Sequence, residues 1–260
     1  MKLPFLPLIL ALALCNLGAM QVDTQMPLVK TLECMKRNAP NALQVNEFRI
    51  ESQGQQVSTP SLSGRFHSQR TKAGLRAMLH ITTPADLAGT RYLMVEQEPE
   101  DAFYAFLPAL GKVRRLKSSG PDSELLGTGL RYSDMRLMAQ VINSASITSE
   151  GRVDYQGRPA QRLRFSPAIA DSPYRRVRVT VDDLSCAVLQ AEFEDAQRVV
   201  KRYWIDPASL IQSGNSWYAT STHVEDLVRG IKAKILLRKV VANKPISEKR
   251  FDPRSFYKID

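Results

Sequence analysis

The chain is poor in the residues that perform covalent and metal chemistry. Its 260 residues include three cysteines and three histidines. The histidines, His67, His80 and His223, stand far apart, and no His-x-x-x-His or Cys-x-x-Cys spacing offers a metal clamp. There is no Gly-x-Ser-x-Gly elbow, no Walker loop and no Gly-x-Gly-x-x-Gly, and Gly127-Thr128-Gly129 is too short to cradle a phosphate. Asp182 and Asp183 are adjacent, which suits a turn better than a paired acid and base. No cofactor, no metal and no enzymatic activity are therefore expected. Long apolar runs are missing too, since nothing approaches the roughly 20 residues of a membrane-spanning helix. No linker rich in Pro, Gly or Ser, no internal repeat and no low-complexity stretch divides the chain, so one domain is expected.

What is present begins at the N-terminus. MKLPFLPLILALALCNLGAMQ has one lysine, an apolar run from Leu8 to Leu14, and small residues Gly18 and Ala19 before polar sequence resumes at Gln21. This is the pattern of a cleaved export leader over residues 1–19, leaving residues 20–260 as a soluble exported protein. Leu12-Ala13-Leu14-Cys15 also resembles a lipobox, although bulky Leu14 stands where a small residue usually precedes the cysteine. An outer-membrane lipoprotein anchored through Cys15 is the alternative. Loss of Lys2 takes the formal net charge from +10 to about +9. An exported protein of this charge is not expected to meet nucleic acid, and a broad positive field attracts anionic lipid head groups instead. With the leader gone, Cys34 and Cys186 remain. They either form one disulfide, closing a loop of about 150 residues worth roughly 4 to 5 kcal/mol in the chain-entropy treatment, or are two buried thiols.

Periodicity then sets the elements. Pro27 to Ala39 is a helix candidate with Leu28, Leu32, Met35 and Ala39 on one stripe. Beyond it period two dominates, through about ten or eleven strands joined by short turns. Val45–Gln53 and Leu62–Gln69 form a first pair, Leu75, Ala77, Leu79 and Ile81 alternate with Arg76, Met78 and His80, and Val153 and Tyr155 turn at Gln156-Gly157 into Leu163 and Phe165. Tyr92–Val95 and Phe103–Leu107 are apolar on both faces and are expected mid-sheet. Arg176 with Arg178, Lys232 with Lys234, and Lys201 with Tyr203 recur at spacing two, which reads as the solvated outer face of an antiparallel sheet. Few helices interrupt the strands. Ser133 can cap one whose stripe is Met135, Met138, Ala139 and Ile142, either plain core or a deformable lid over an apolar cavity.

Three motifs at short intervals carry a family resemblance. Thr83-Pro84-Ala85-Asp86 with Gly89-Thr90, then Phe106-Leu107-Pro108-Ala109-Leu110-Gly111-Lys112-Val113-Arg114-Arg115, then Leu126-Gly127-Thr128 leading to Tyr132-Ser133-Asp134, resemble the outer-membrane lipoprotein-sorting proteins related to the LolA and LolB carriers. Lys249-Arg250-Phe251-Asp252-Pro253-Arg254 is similar to that family's closing segment. The pattern is departed from at Arg91, Leu126 and Gly129. The resemblance implies a mainly β (α+β) fold, a single large curved antiparallel sheet forming a half-barrel covered by a few short helices. It implies a monomeric carrier in the periplasm of a Gram-negative cell, holding the acyl chains of lipoproteins or other lipids, whose partners would be an inner-membrane lipid exporter or an outer-membrane acceptor. Leu79, Leu93, Phe103, Phe106, Met135 and Met138 are the expected cavity residues, and Arg91, Arg114 and Arg115 the expected rim for a head group. A lipid-sensing envelope-stress regulator that binds an anti-sigma factor is the alternative function. A hydrolase would require Cys34, a histidine and a carboxylate to converge.

Overall fold

The computed structural model describes residues 28–54, 58–97, 101–116, 126, 128–131, 134, 137, 146–167 and 172–259. Leu28–Asn38 forms helix α1, with Lys36 and Arg37 in its last turn, where they complement the carbonyl end of the helix. Its stripe is the expected one: Met35 is buried, and Leu28 and Leu32 pack on the same core.

From Ala42 onward the described residues are mostly strand. The strands are β1 (Ala42–Gln53), β2 (Ser58–Thr71), β3 (Gly74–Thr83), β4 (Arg91–Val95), β5 (Ala102–Leu107), β6 (Lys112–Leu116), β7 (Thr148–Tyr155), β8 (Arg158–Phe165), β9 (Arg176–Asp182), β10 (Val188–Glu194), β11 (Val199–Ile205), β12 (Leu210–Ser213), β13 (Ser216–Ala219), β14 (Ser221–Asp226) and β15 (Ile231–Ala242). Among the described residues, thirteen of them make one antiparallel sheet in the order β6-β5-β4-β3-β2-β1-β15-β14-β11-β10-β9-β8-β7, and β12 pairs with β13 as a separate hairpin. The sheet is curved but not closed, leaving β6 and β7 as its two edges. This is the half-barrel expected from the sequence.

Local chemistry explains the turns. Between β7 and β8, Gln156 and Gly157 both take positive φ and the Gly157 N–H donates to Asp154 Oδ1 at 2.9 Å, which makes the expected tight hairpin. The run from Trp217 to His223 is broken at Thr220, whose N–H donates to the Ser209 carbonyl while its own carbonyl accepts from Leu237. β4 and β5 lie close to an edge, not mid-sheet. Their apolar outer face has another cause, the C-terminal segment that covers it.

One face of the sheet, termed the inner face, carries α1, the side chains of Leu126, Leu130 and Leu137, and the β12–β13 hairpin. Over β8 to β10 it is fully dry, with Leu163, Val177 and Phe193 each 0% exposed. A disulfide joins Cys34 of α1 to Cys186, just before β10, across 152 residues of chain and fixes the helix there. The opposite, outer face is ionic over β8 to β11, where Arg176 and Arg178 pair with Glu194 and Arg202 with Glu192. Over β3 to β5 it is apolar and is sealed by the C-terminal segment, which contributes Ile246, Phe251 and Phe256 to a cluster with Met78 and Leu93. No helix among the described residues is long and apolar enough to cross a membrane.

Candidate functional site

Cross-strand register decides which side chains share a face, because directly opposed residues point the same way. Leu79 faces Phe66 and Tyr92, and Leu43, Val45, Phe48, Ile50 and Leu62 continue the same face across β1 and β2. On β15, Ile235, Leu237 and Val240 extend it. These residues form one apolar cluster with Leu126 and Tyr218 as its cover. Its floor is dry, with Val45 and Ile81 at 1% exposure, while Leu43, Leu62, Phe66, Leu79, Tyr92 and Leu237 remain only half-buried. The stripe of partly uncovered apolar side chains on the inner face of β1 to β4 and β15 is the candidate site.

The expected cavity residues separate on this frame. Leu79 lies in the stripe, and Phe103, opposite Met94, occupies the same inner face one strand pair further on. Leu93 and Phe106 point to the outer face, where Leu93 is buried in the C-terminal cluster and Phe106 stacks on Tyr257 with ring centroids 4.7 Å apart. Met135 and Met138 lie outside the described residues.

The rim residues also separate. Arg91 is 7% exposed on the outer face and donates from Nη1 to the carbonyls of Phe256 at 3.2 Å and Ile259 at 2.7 Å. It therefore clasps the C-terminal strap instead of standing at a rim, and Arg76 supports the same strap through Glu248 at 2.7 Å. Arg114 opposes Ala105 on the inner face, at the edge beyond Phe103 and Tyr92, and Arg115 opposes Tyr104 on the outer face. Of the three arginines, only Arg114 shares a face with the apolar stripe.

The motifs that carry the resemblance meet in space. Gly89 takes a φ of +82°, and a Cβ there would stand 3.0 Å from Pro108, so the Thr83–Thr90 turn rests against the Pro108 turn. Gly129 takes a φ of +75°, with Asp226 Cβ at 3.1 Å from the place a side chain would need. The segment containing Gly129 continues to Asp134, which is fully buried. Asp134 accepts from Tyr174 Oη at 2.6 Å and from the Arg131 N–H at 2.7 Å, and its Oδ2 pairs with Lys201 Nζ. Burial, and then the charge of Asp134, push the Tyr174 hydroxyl well above its ordinary pKa.

Lys201 thus corrects an expectation. Its spacing with Tyr203 points to the solvated outer face, yet both lie on the inner face and Lys201 is 2% exposed. A buried ammonium is tolerable only with a paired carboxylate, and Asp134 is that group. No spacing rule finds such a pair, because 67 residues separate the partners. The recess beside them, lined by Arg131, Tyr174, Val200, Lys201 and Asp226, holds about 190 Å³, below the roughly 300 Å³ at which ligand pockets begin. Its role is anchorage of the segment over the sheet.

The conditions for hydrolysis are not met at Cys34, whose sulfur is committed to the disulfide. Among the described residues, no group of three or more His, Cys, Asp or Glu side chains could hold a metal ion. His67 is buried beneath the strap, and His223 stacks on Trp204 at 5.2 Å.

An open antiparallel half-barrel with a helix-bearing apolar face is the architecture of the LolA-like proteins. The chain superposes on a DUF1329 family protein from Desulfovibrio piger with a TM-score of 0.75 at 19% identity, covering 86% of this chain and 95% of that one. An outer membrane lipoprotein-sorting protein domain from Vibrio parahaemolyticus gives 0.74 at 17% identity, with 88% and 97% covered. A LolA superfamily protein from Nitrosomonas europaea gives 0.61 at 16% identity, with 85% and 96% covered. No curated protein matches the sequence. A family model described as "-like: Uncharacterized protein" matches residues 74–258, and the chain belongs to that family.

Proposed function

We propose that this protein is a periplasmic carrier that holds the acyl chains of lipoproteins or other lipids against the inner face of β1 to β4 and β15. The observation that carries this is the half-buried stripe of Leu43, Leu62, Phe66, Leu79, Tyr92 and Leu237 lying on a dry floor. A folded protein seldom leaves so much contiguous apolar surface partly uncovered without a use for it. Burial of an acyl chain gains about 0.8 kcal/mol per CH₂, so an ordinary chain binds without any catalytic group. Arg114, beside the stripe, would meet a phosphate or carboxylate at the mouth. The fold shared with a lipoprotein-sorting domain supports the assignment, as does the disulfide, which suits an oxidising compartment. Delivery toward the outer membrane, from an inner-membrane exporter to an acceptor, is the route this reading implies. Residues 20–260 would act as one lipid-binding unit.

The test is native mass spectrometry of the protein purified from periplasm. Co-purified acylated species, lost in a Phe66→Glu variant that keeps its thermal transition, would support the carrier. An empty protein that also refuses loading with acylated peptides and phospholipids would overturn it.

A further inference from the structure

The two edges of the open sheet differ in charge. At β7, Glu150 pairs with Arg164 and Arg178, and Arg152 pairs with Asp183, so the edge is neutralised by its own neighbours. Elsewhere on the sheet Arg49, Arg76, Arg158, Lys201 and Lys232 have carboxylate partners too. At β6 the sequence is Lys112-Val113-Arg114-Arg115-Leu116, exposed at every position but Val113. No ion pair engages Lys112, Arg114 or Arg115 among the described residues. Among the described residues β6 pairs with β5 on one side only, and no strand pairs with its second row of backbone N–H and C=O groups. Leu116 is 41% exposed within the same strand.

We infer that β6 is a docking edge for an extended acidic segment of a partner protein, which adds to the sheet as a further antiparallel strand. Backbone pairing would supply affinity and the three cations would supply selection. The occupant follows from charge and geometry together. A second copy of this chain is disfavoured, because antiparallel pairing of two full β6 strands sets Arg114 against Arg114 and offers no carboxylate to Lys112 or Arg115. A flat anionic membrane is a poorer match, because Lys112 and Arg114 project from one face and Arg115 from the other. An added strand carries side chains to both faces and so meets all three cations. This inference stands apart from the apolar stripe and does not depend on lipid being the cargo.

The probe is a fluorescein-labelled peptide, Thr-Val-Glu-Glu-Val-Glu-Thr. Read antiparallel, it sets Glu opposite Lys112, Arg114 and Arg115 and Val opposite Val113 and Leu116. Fluorescence anisotropy on the full mature chain should show it binding at least tenfold tighter than the same peptide with Lys in place of Glu. The Arg114→Glu/Arg115→Glu variant should lose at least tenfold, and hydrogen exchange should slow at residues 112–116 in the complex. N-methylation of alternate peptide nitrogens should abolish binding in one of its two registers. The inference is overturned if both N-methylated peptides bind as well as the parent, since charge alone then suffices. It is equally overturned if exchange at β6 is unchanged, or if phosphatidylglycerol vesicles bind through Arg114 and Arg115 while the acidic peptide does not.

Discussion

The half of the sheet made by β7 to β11 and the half made by β1 to β6 use their faces in different ways. In the first, the inner face is a closed core under α1 and the outer face is a lattice of ion pairs. In the second, both faces bury apolar residues: over β3 to β5 the outer face holds Met78 and Leu93 at 1% exposure beneath the C-terminal strap, while the inner face lays half-buried leucines and aromatics over the dry floor of Val45 and Ile81. The contrast shows how an open sheet can keep an apolar surface available without losing its fold. One half is stabilised in the ordinary way, by burying its inner face. The other is stabilised from behind, by the strap that Arg91 and Arg76 hold in place. Its inner face then keeps half-buried apolar side chains, the surface the proposed carrier would use.

The largest effect expected from breaking this contrast comes from the covered half. Closing 152 residues of chain with the Cys34–Cys186 bond is worth about 4 to 5 kcal/mol in the chain-entropy treatment. For a chain of this size that amounts to a fall in Tm of roughly 10 to 20 °C on reduction. Differential scanning calorimetry with and without reductant measures it, and Cys186→Ser should reproduce the reduced transition. Proteolysis should then cut α1 first, because the disulfide fixes that helix to the turn before β10. A shift of only a few degrees would mean that packing of Leu28, Leu32 and Met35 alone holds the helix.

The next effect tests the strap. His67 lies beneath it, 4% exposed, and its pKa is lowered to about 4 by burial first and then by the charges of Arg250, Arg65 and His80. The folded state therefore holds His67 neutral, whereas the unfolded chain protonates it near 6.5. Below pH 6.5 the unfolded state binds the extra proton, so this contribution is complete above that pH and is lost as pH falls toward 4. The gap corresponds to about 3 kcal/mol. Urea unfolding between pH 7.5 and 4.5 should show the decline, and His67→Gln should flatten it. If the strap seals the outer face as described, exchange at residues 246–258 should rise with acidification before exchange in β8 to β10 does.

Much of this architecture is legible in the sequence, because α1, the Gln156-Gly157 hairpin and the alternating strands rest on local rules. What was not legible rests on contacts between distant segments. Leu93 and Phe106 look like cavity residues as long as the strap is unknown, since β4 and β5 are apolar on both faces and only residues 246–258 decide which face is sealed. Arg91 looks like a rim cation until the carbonyls of Phe256 and Ile259, more than 160 residues away, are placed against it. Lys201 obeys the spacing of a solvated strand and is nevertheless buried, because Asp134 arrives from a different segment. In each case the side chain carries a charge or an apolar surface that sequence alone can assign to either face.

The smallest effect is the most discriminating between the two halves. Leu163 and Leu79 are both strand leucines on the inner face, one 0% exposed in the closed core and the other half-buried in the stripe. Leu163→Ala removes packing on every side and should cost about 2 to 5 kcal/mol, whereas Leu79→Ala, already partly in water, should cost about 1 kcal/mol or less. Ligand affinity should order the other way. Leu79→Ala removes apolar contact from the proposed acyl surface and should weaken binding of a fluorescent fatty acid severalfold, while Leu163→Ala, if it stays folded, should leave that binding near the parent value. Chemical denaturation and fluorescence titration on the same two variants make the measurement. Equal stability losses would mean that the stripe is ordinary core, since a surface kept open for cargo cannot contribute to the empty fold as much as a closed one does.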